Sequence, residues 1–263
     1  MRLSIIIPAN NEEKAIGEVV AAARGEYPDS EIIVVDDGST DTTAALAEEQ
    51  GARVISHPQS LGNGAAVKAG ARAATGEVLV FLDADGQHDP ADIPRLLEKL
   101  DEGYDMVVGA RSSSSHANTA RLAANGIYNV IASMITGHRI PDLTSGFRAV
   151  KADLFRKFLY LLPNGFSYPT TITMAFMRAG YPVEFLPIVA QKRKGKSHIK
   201  PVKDGVRFLM IIFKIATLYA PLKLFLPTAV AFFTVGLGYY LYTLLTEGRF
   251  TNMSLLLFSA AVI

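Results

Sequence analysis

Five short apolar, β-branched runs alternate with segments of helical spacing, and this alternation restricts the chain to a small set of folds. Leu3–Ile7, Glu31–Asp36, Arg53–Ser56, Val78–Asp83 and Met106–Gly109 read as strands. Between them, Ile16, Val19, Val20 and Ala23 recur at i, i+3, i+4 and i+7, as do Ile93, Leu96, Leu97 and Leu100, so each segment is a helix with one buried stripe. Asn10, with Glu13 three residues on, reads as a helix N-cap, and Gly51 as the stop of a helix running from about Thr42. The alternation predicts an α/β fold with a mostly parallel central sheet and helices on both faces. Ligands of such sheets sit beyond the carboxyl ends of the strands.

Three of those ends are acidic and rich in small residues. Pro8-Ala9-Asn10-Asn11-Glu12 follows the first strand, Asp36-Asp37-Gly38-Ser39-Thr40-Asp41 the second, and Asp83-Ala84-Asp85-Gly86-Gln87-His88-Asp89-Pro90 the fourth. Asp83 and Asp85, one residue apart, can meet at one hard cation such as Mg²⁺ or Mn²⁺, with Gln87 adding a neutral oxygen. A cation there would bridge diphosphate oxygens. Asp89-Pro90 has the form of a helix start, which explains Asp89 but not Asp83 and Asp85. Asp36 and Asp37 can accept hydrogen bonds from a nucleotide base or from ribose hydroxyls. An Asx-turn with Ser39 or Asp41 capping the next helix accounts for only part of that segment. Leu61-Gly62-Asn63-Gly64 opens a further helix that carries Lys68 and Gly70. It is neither a P-loop nor a GxGxxG fingerprint, since Val67 stands where the third glycine belongs, and it fits close packing and substrate contact equally.

Charge is unevenly spread. Residues 1–189 carry 16 Lys/Arg and 23 Asp/Glu, a net of −7, whereas Lys192, Arg193, Lys194, Lys196, Lys200, Lys203, Arg207, Lys214 and Lys223 crowd a short collar with one acid, Asp204. An acidic body with a basic collar ahead of an apolar tail favours a membrane surface over a nucleic acid. There is no cysteine, which excludes disulfide and thiol chemistry. The N-terminus enters its first strand without a leader pattern, so no signal peptide is predicted. Leu224–Leu245 has no charge, and at about 1.5 Å rise per residue it is long enough to cross a bilayer. A polar break containing Glu247 and Arg249 follows, and Met253–Ile263 is apolar again but too short to span, as though cut inside a second membrane helix. The collar places residues 1–223 in the cytoplasm by the positive-inside rule.

The segments IIIPANNEE (Ile5–Glu13), VVDDGSTD (Val34–Asp41), GNGAAVKAG (Gly62–Gly70), VLVFLDADGQHDP (Val78–Pro90), DLTSGFRA (Asp142–Ala149) and RKGKSH (Arg193–His198) together resemble the inverting glycosyltransferases of family 2. Within that family, the chain is most similar to the dolichyl-phosphate mannose synthase and polyprenyl-phosphate glycosyltransferase group. The resemblance implies a GT-A nucleotide-sugar-binding fold over residues 1–205, followed by an interfacial amphipathic helix over 206–223 and transmembrane helices over 224–263. It implies that Pro8, Asn10, Glu12, Asp36, Asp37 and Asp83 bind the nucleotide, and that Asp83, Asp85 and Gln87 hold the diphosphate and its Mg²⁺ or Mn²⁺. Asn63 departs from the basic residue of many relatives.

The implied reaction is transfer of a hexose from a nucleotide-sugar donor, GDP-mannose or UDP-glucose, to a polyprenyl or dolichyl phosphate at the cytoplasmic face of a lipid bilayer. The DLTSGFR form leans toward mannose. A lipid phosphate is mostly dianionic at neutral pH and needs cations rather than a strong base. Arg148, Arg193, Lys194, Lys196 and Ser197 are the candidates for its phosphate, Asp142 a candidate base or orienting group, and Asp85, Asp142 and Arg148 the candidate catalytic set. His88, His138 and His198 read as loop or surface residues. Three rivals are weighed: a processive polysaccharide synthase, whose QxxRW signature is excluded by the absence of tryptophan; a transferase to a hydroxyl acceptor, which needs a general base; and a non-catalytic membrane scaffold.

Overall fold

The computed structural model describes residues 2–111, 119–165, 167–191 and 221–262, with positions 206, 210, 213, 214, 216 and 217 besides. It divides into two units, Met1–Ile212 and Phe213–Ile263.

The first unit is built on a seven-stranded sheet. Its strands are β1 (Leu3–Ala9), β2 (Glu31–Asp36), β3 (Arg53–Ser56), β4 (Val78–Phe81), β5 (Met106–Arg111), β6 (Arg148–Lys151) and β7 (Val183–Ile188), and they lie in the order β3-β2-β1-β4-β6-β5-β7. Strands β1 to β4 pair in parallel, as does β5 with β7. Strand β6 runs antiparallel to both neighbours. The five strands anticipated from the apolar runs are all present. Strands β6 and β7 are additions, because a four-residue segment with two charges and an edge strand containing Pro187 carry little apolar signal.

The strands alternate faces with a period of two. Ile5, Ile7, Val34 and Val80 pack on one side against Ile16, Val19 and Val20 of α1 (Ile16–Glu26) and against Ile93, Leu96 and Leu100 of α4 (Ile93–Asp101). Ile6, Ile33, Val35, Leu79 and Phe81 pack on the other, against Ala66, Val67 and Ala71 of α3 (Asn63–Ala73), Phe155 of α6 (Ala152–Lys157) and Ile172 and Phe176 of α7 (Tyr168–Arg178). Each large side chain so removed from water contributes about 1.5–3 kcal/mol. Also in this unit are α2 (Thr43–Glu49) and α5 (Thr119–Thr136). Gly51 follows α2 with φ +79°, as a C-terminal stop requires. Asn10 is not the cap of α1: that helix begins after Ala15, the carbonyl of Glu12 accepts from the amides of Ala15 and Ile16, and Asn10 is engaged elsewhere.

Direction along the sheet places the site. The carboxyl ends of β1, β2, β4 and β5 lie on one edge. Because β6 is reversed, the segment that precedes it arrives at the same edge, with Arg148 in register with Phe81 of β4 and Val108 of β5.

The second unit contains α8 (Pro221–Glu247), 27 residues with mean hydropathy 1.6, which is long and apolar enough to cross a membrane by length and composition. It packs against α9 (Asn252–Val262), where Phe233 lies 5.5 Å from Phe258 and Gly236 faces Leu257 and Phe258. The basic collar from Lys192 to Lys203 lies outside the described residues, as does half of the expected interfacial helix over 206–223.

Candidate active site

The loops after β1 and β2 are stitched into one wall. Asp37 N donates to Ala9 O at 2.8 Å, and Asn10 Nδ2 donates to Asp37 O at 2.6 Å. Asn11 adopts φ +54°, a left-handed conformation that asparagine tolerates, and its Oδ1 accepts from Thr40 N at 2.9 Å. Glu12 N donates to Thr43 Oγ1 at 2.9 Å, and the Glu12 side chain is buried. Asp36 closes an Asx-turn, accepting from Ser39 N at 3.1 Å, while Asp41 caps α2 through Thr43. Pro8, inside β1 opposite Val35, is buried beneath this wall.

Asp37 has a different occupation from the one its position suggests. Its Oδ1 takes hydrogen bonds from Leu61 N at 2.9 Å and from the His57 ring at 2.8 Å, and its Oδ2 from Ser60 Oγ and Gly62 N, both at 2.8 Å. Burial pushes this carboxyl group up, but the bonds from His57, Leu61, Ser60 and Gly62 outweigh it and hold the group below the usual carboxylate range. With four donors already in place, Asp37 organises the loop before α3. A direct nucleotide contact by its carboxylate would require one of those bonds to break. The glycines of that loop are accounted for by packing: Gly62 has φ +105°, and a Cβ on Gly62 or Gly64 would run into the backbone of Pro163–Gly165. Lys68 anchors the same segment through Leu162 O and Asn164 Oδ1, at 3.1 and 2.5 Å.

After β4 the arrangement opens. The Asp83 side chain is 35% exposed, whereas Asp85 is buried and accepts from Gln87 N at 3.1 Å. Gln87 turns its amide nitrogen to Gln191 O at 3.3 Å, which leaves its Oε1 as the atom it can offer. Asp89 caps the following turn through Ala91 N, as its position before Pro90 predicts. Among the described residues no group of three or more His, Cys, Asp or Glu forms a closed metal cage. A partly exposed carboxylate two residues from a buried one nevertheless fits a hard cation of the Mg²⁺ type, which takes one or two protein carboxylates and completes its shell with phosphate oxygens and water.

His88 is not a surface residue. It is buried, its ring stacks on Phe147 with centroids 5.1 Å apart, and its Nδ1 accepts from Asp83 N at 3.3 Å. Burial, offset in part by the Asp85 charge and reinforced by Arg111, pushes its pKa down to about 4, so the ring is neutral at physiological pH. His138 is exposed, as expected, and His198 lies outside the described residues.

Two assignments on this side need correction. Arg148 is 0% exposed. It points into the core between Phe81 and Val108, with Nη1 on Thr173 Oγ1 at 3.2 Å and Pro169 O at 3.4 Å and Nη2 on Ser145 O, and it cannot reach an acceptor phosphate. Asp142 is committed as well. Arg111 grips it bidentately, Nε to Oδ2 at 2.8 Å and Nη2 to Oδ1 at 3.1 Å, and Thr144 N adds a bond to Oδ1 at 3.0 Å. Burial raises the Asp142 pKa, but Arg111 more than reverses this and holds the group below the ordinary carboxylate range, which is unsuited to a general base.

Arg111 itself was missed. It is the last residue of β5, at the same edge, and its side chain is 22% exposed. Burial lowers its pKa, but the bond and charge of Asp142, with those of Asp83 and Asp85, raise it overall. The signal was available in the carboxyl-end rule, had the strand been read two residues beyond Gly109. Arg193, Lys196 and Ser197 lie outside the described residues.

Comparison with known proteins bears on the family and the fold. Residues 4–159 match the description Glycosyl transferase family 2, and residues 220–263 match the GtrB C-terminal hairpin. The chain is 32% identical over 216 residues to a dolichyl-phosphate hexose transferase of Haloferax volcanii, covering 81% of this chain and 93% of that one. It is 30% identical over 208 residues to a polyprenol monophosphomannose synthase of Mycolicibacterium smegmatis, covering 73% and 78%. In fold it is similar to glucosyl-3-phosphoglycerate synthase of Mycobacterium tuberculosis, solved with Mn²⁺, uridine diphosphate and glucosyl-3-phosphoglycerate, with TM-score 0.66, 23% identity and coverage of 82% and 80%. The GT-A architecture expected from the sequence is borne out.

Proposed function

Since the chain belongs to glycosyl transferase family 2, and is thus a glycosyltransferase, we propose that it transfers a hexose from a nucleotide-sugar to a polyprenyl or dolichyl phosphate at the cytoplasmic face of a membrane. Mannose from GDP-mannose is the preferred donor in this reading, and UDP-glucose the alternative. Relatives named for transfer to dolichyl phosphate and for polyprenol monophosphomannose synthesis support the acceptor class. The observation that carries the reading is the state of Asp142. Asp142, read as an orienting group or a base, is bonded to Arg111 and Thr144, and an acceptor that ionises unaided is the one that does without a base.

The reaction is a single in-line displacement. A lipid-phosphate oxygen forms a bond to the anomeric carbon, the bond from that carbon to the diphosphate oxygen breaks with its electron pair leaving on the nucleoside diphosphate, and configuration inverts. The wall from Asn10 to Glu12 and from Asp36 to Asp41 shapes the nucleotide pocket, with Asp37 holding the Gly62 loop against it. Asp83 and Asp85, with Gln87, would hold a Mg²⁺ or Mn²⁺, which would supply positive charge next to the leaving diphosphate. Arg111 takes the place first given to Arg148 as the guanidinium that meets the acceptor phosphate. Arg193, Lys194, Lys196 and Ser197 supply the rest of that subsite, and α8 and α9 anchor the chain in the bilayer.

The test is to incubate the full chain in detergent with Mg²⁺ or Mn²⁺, a polyprenyl phosphate and, in turn, GDP-mannose, UDP-glucose and UDP-N-acetylglucosamine, and to examine the lipid by mass spectrometry. A lipid-phosphate hexose with one donor establishes reaction and sugar together. Sugar transfer only to a hydroxyl acceptor overturns the lipid-phosphate reading.

A further inference from the structure

The turn that leads into β6 is held more firmly than a connection requires. Ser145 Oγ donates to Gly109 O at 2.6 Å, Gly109 N to Phe147 O at 2.9 Å, Tyr168 Oη to Gly146 O at 3.5 Å, and Arg148 Nη2 to Ser145 O. Ser145, Phe147 and Arg148 are all without solvent exposure. Among the described residues, no carboxylate forms an ion pair with Arg148. A buried guanidinium bonded only to carbonyls, a hydroxyl and a sulfur is costly, and an apolar side chain would fill the same core space without that cost. What it does in this core is fix geometry, with Nη2 holding the carbonyl of Ser145 and Nη1 reaching Thr173 of α7.

What lies against this turn is Asp83. A Cβ placed on Gly146 would stand 2.8 Å from Asp83 Oδ1 and 3.0 Å from Oδ2. Gly146 is not among the glycines with positive φ, so its backbone does not demand glycine; the space next to the carboxylate does. The next residue supports the other end of Asp83: Phe147 stacks on His88, whose Nδ1 accepts from the Asp83 amide. Asp83 is thus braced at its main chain through His88 and Phe147, and at its carboxylate by the bare Cα of Gly146.

We propose that Gly146 and Arg148 are positioning residues for the donor-site cation, with Arg148 fixing the turn and Gly146 setting where the Asp83 carboxylate sits relative to Asp85. The proposal rests on reading Asp83 and Asp85 as cation ligands. Small hard cations demand near-ideal geometry, so a carboxylate displaced by a few tenths of an ångström binds them worse. The three atoms nearest the added methyl of Gly146→Ala all belong to the end of the Asp83 side chain, which can shift without the backbone moving, so the fold survives while the site shifts.

The experiment is Mn²⁺ binding to the full chain in detergent, read from the electron paramagnetic resonance of free Mn²⁺, with GDP or UDP present at saturation and the melting temperature measured alongside. Outer-shell changes cost about 10–100-fold in metal affinity, and Gly146→Ala is expected to weaken Mn²⁺ within that range with a near-unchanged melting temperature. Turnover should recover as Mn²⁺ is raised. Arg148→Lys, which keeps the charge but not the fork, should shift affinity in the same direction by less. Wild-type Mn²⁺ affinity in Gly146→Ala, within twofold, overturns the proposal. Absence of nucleotide-dependent Mn²⁺ uptake by the unmodified protein would instead overturn the ligand reading of Asp83 and Asp85 on which it stands.

Discussion

The acidic pair after β2 and the acidic pair after β4 look alike in sequence and are put to different uses in the fold. Asp37 is wrapped by four donors from His57, Ser60, Leu61 and Gly62, and its charge holds one loop to another. Asp83 is about a third exposed, with the Cα of Gly146 against its carboxylate and the His88 ring beside it. A buried carboxylate bonded by four donors of the protein is a structural staple. One that keeps part of its surface in solvent can also meet a ligand.

That contrast is broken most easily at Asp85. Asp85→Ala should lower turnover by about 10³-fold, the loss of several kcal/mol of charge stabilisation, with the melting temperature almost unchanged; full activity would remove the cation role. Arg111→Met should lower turnover by about 10²-fold at saturating donor, the cost of losing one preorganised donor. It should also reduce stability, since Asp142 keeps its buried charge without its partner. Asp37→Ala sharpens the other side. It removes the shared acceptor of His57, Ser60, Leu61 and Gly62, and chemical denaturation should show a loss of about 2–4 kcal/mol, with far less effect on turnover per folded molecule. A large rise in donor KM at unchanged stability would return Asp37 to direct nucleotide contact. The smallest effect is in acid. Asp37 and Asp142 both have folded pKa values below the ordinary 3.8. Their contribution is therefore complete above that value and is lost as pH falls below it toward the folded values. Denaturation midpoints measured from pH 6 to pH 3 should fall, and Asp142→Asn should flatten that slope.

Much of this was legible because it follows from periodicity. The stripe Ile16, Val19, Val20, Ala23 is buried as read, and β2 and β3 keep their anticipated bounds. What failed was anything set by a long-range neighbour. Arg148 reads as a loop cation until β6 is known to lie between β4 and β5, which carries its side chain into the core. His88 reads as a loop or surface residue; it does lie in the loop after β4, and its burial comes from Phe147, which stacks on it. Arg111 went unnoticed because β5 was ended at Gly109, and its pairing with Asp142 across the segment between them has no local signature.

The reversed strand has a further consequence for how the chain returns to the sheet edge. Residues 112–141 leave the sheet edge after Arg111 and return to it at Asp142, and the ion pair between those two residues clasps the excursion at its base. Loop-closure cost grows only logarithmically with length, about 0.6 kcal/mol per doubling, and here the closure is already made by the clasp. The clasp is reinforced from within the excursion: Asn129 of α5 donates to Pro141 O at 2.7 Å and accepts from Leu143 N at 3.0 Å, and Ala132 and Ile135 are buried. The return to the sheet edge is thus fixed twice over, by an ion pair and by an asparagine.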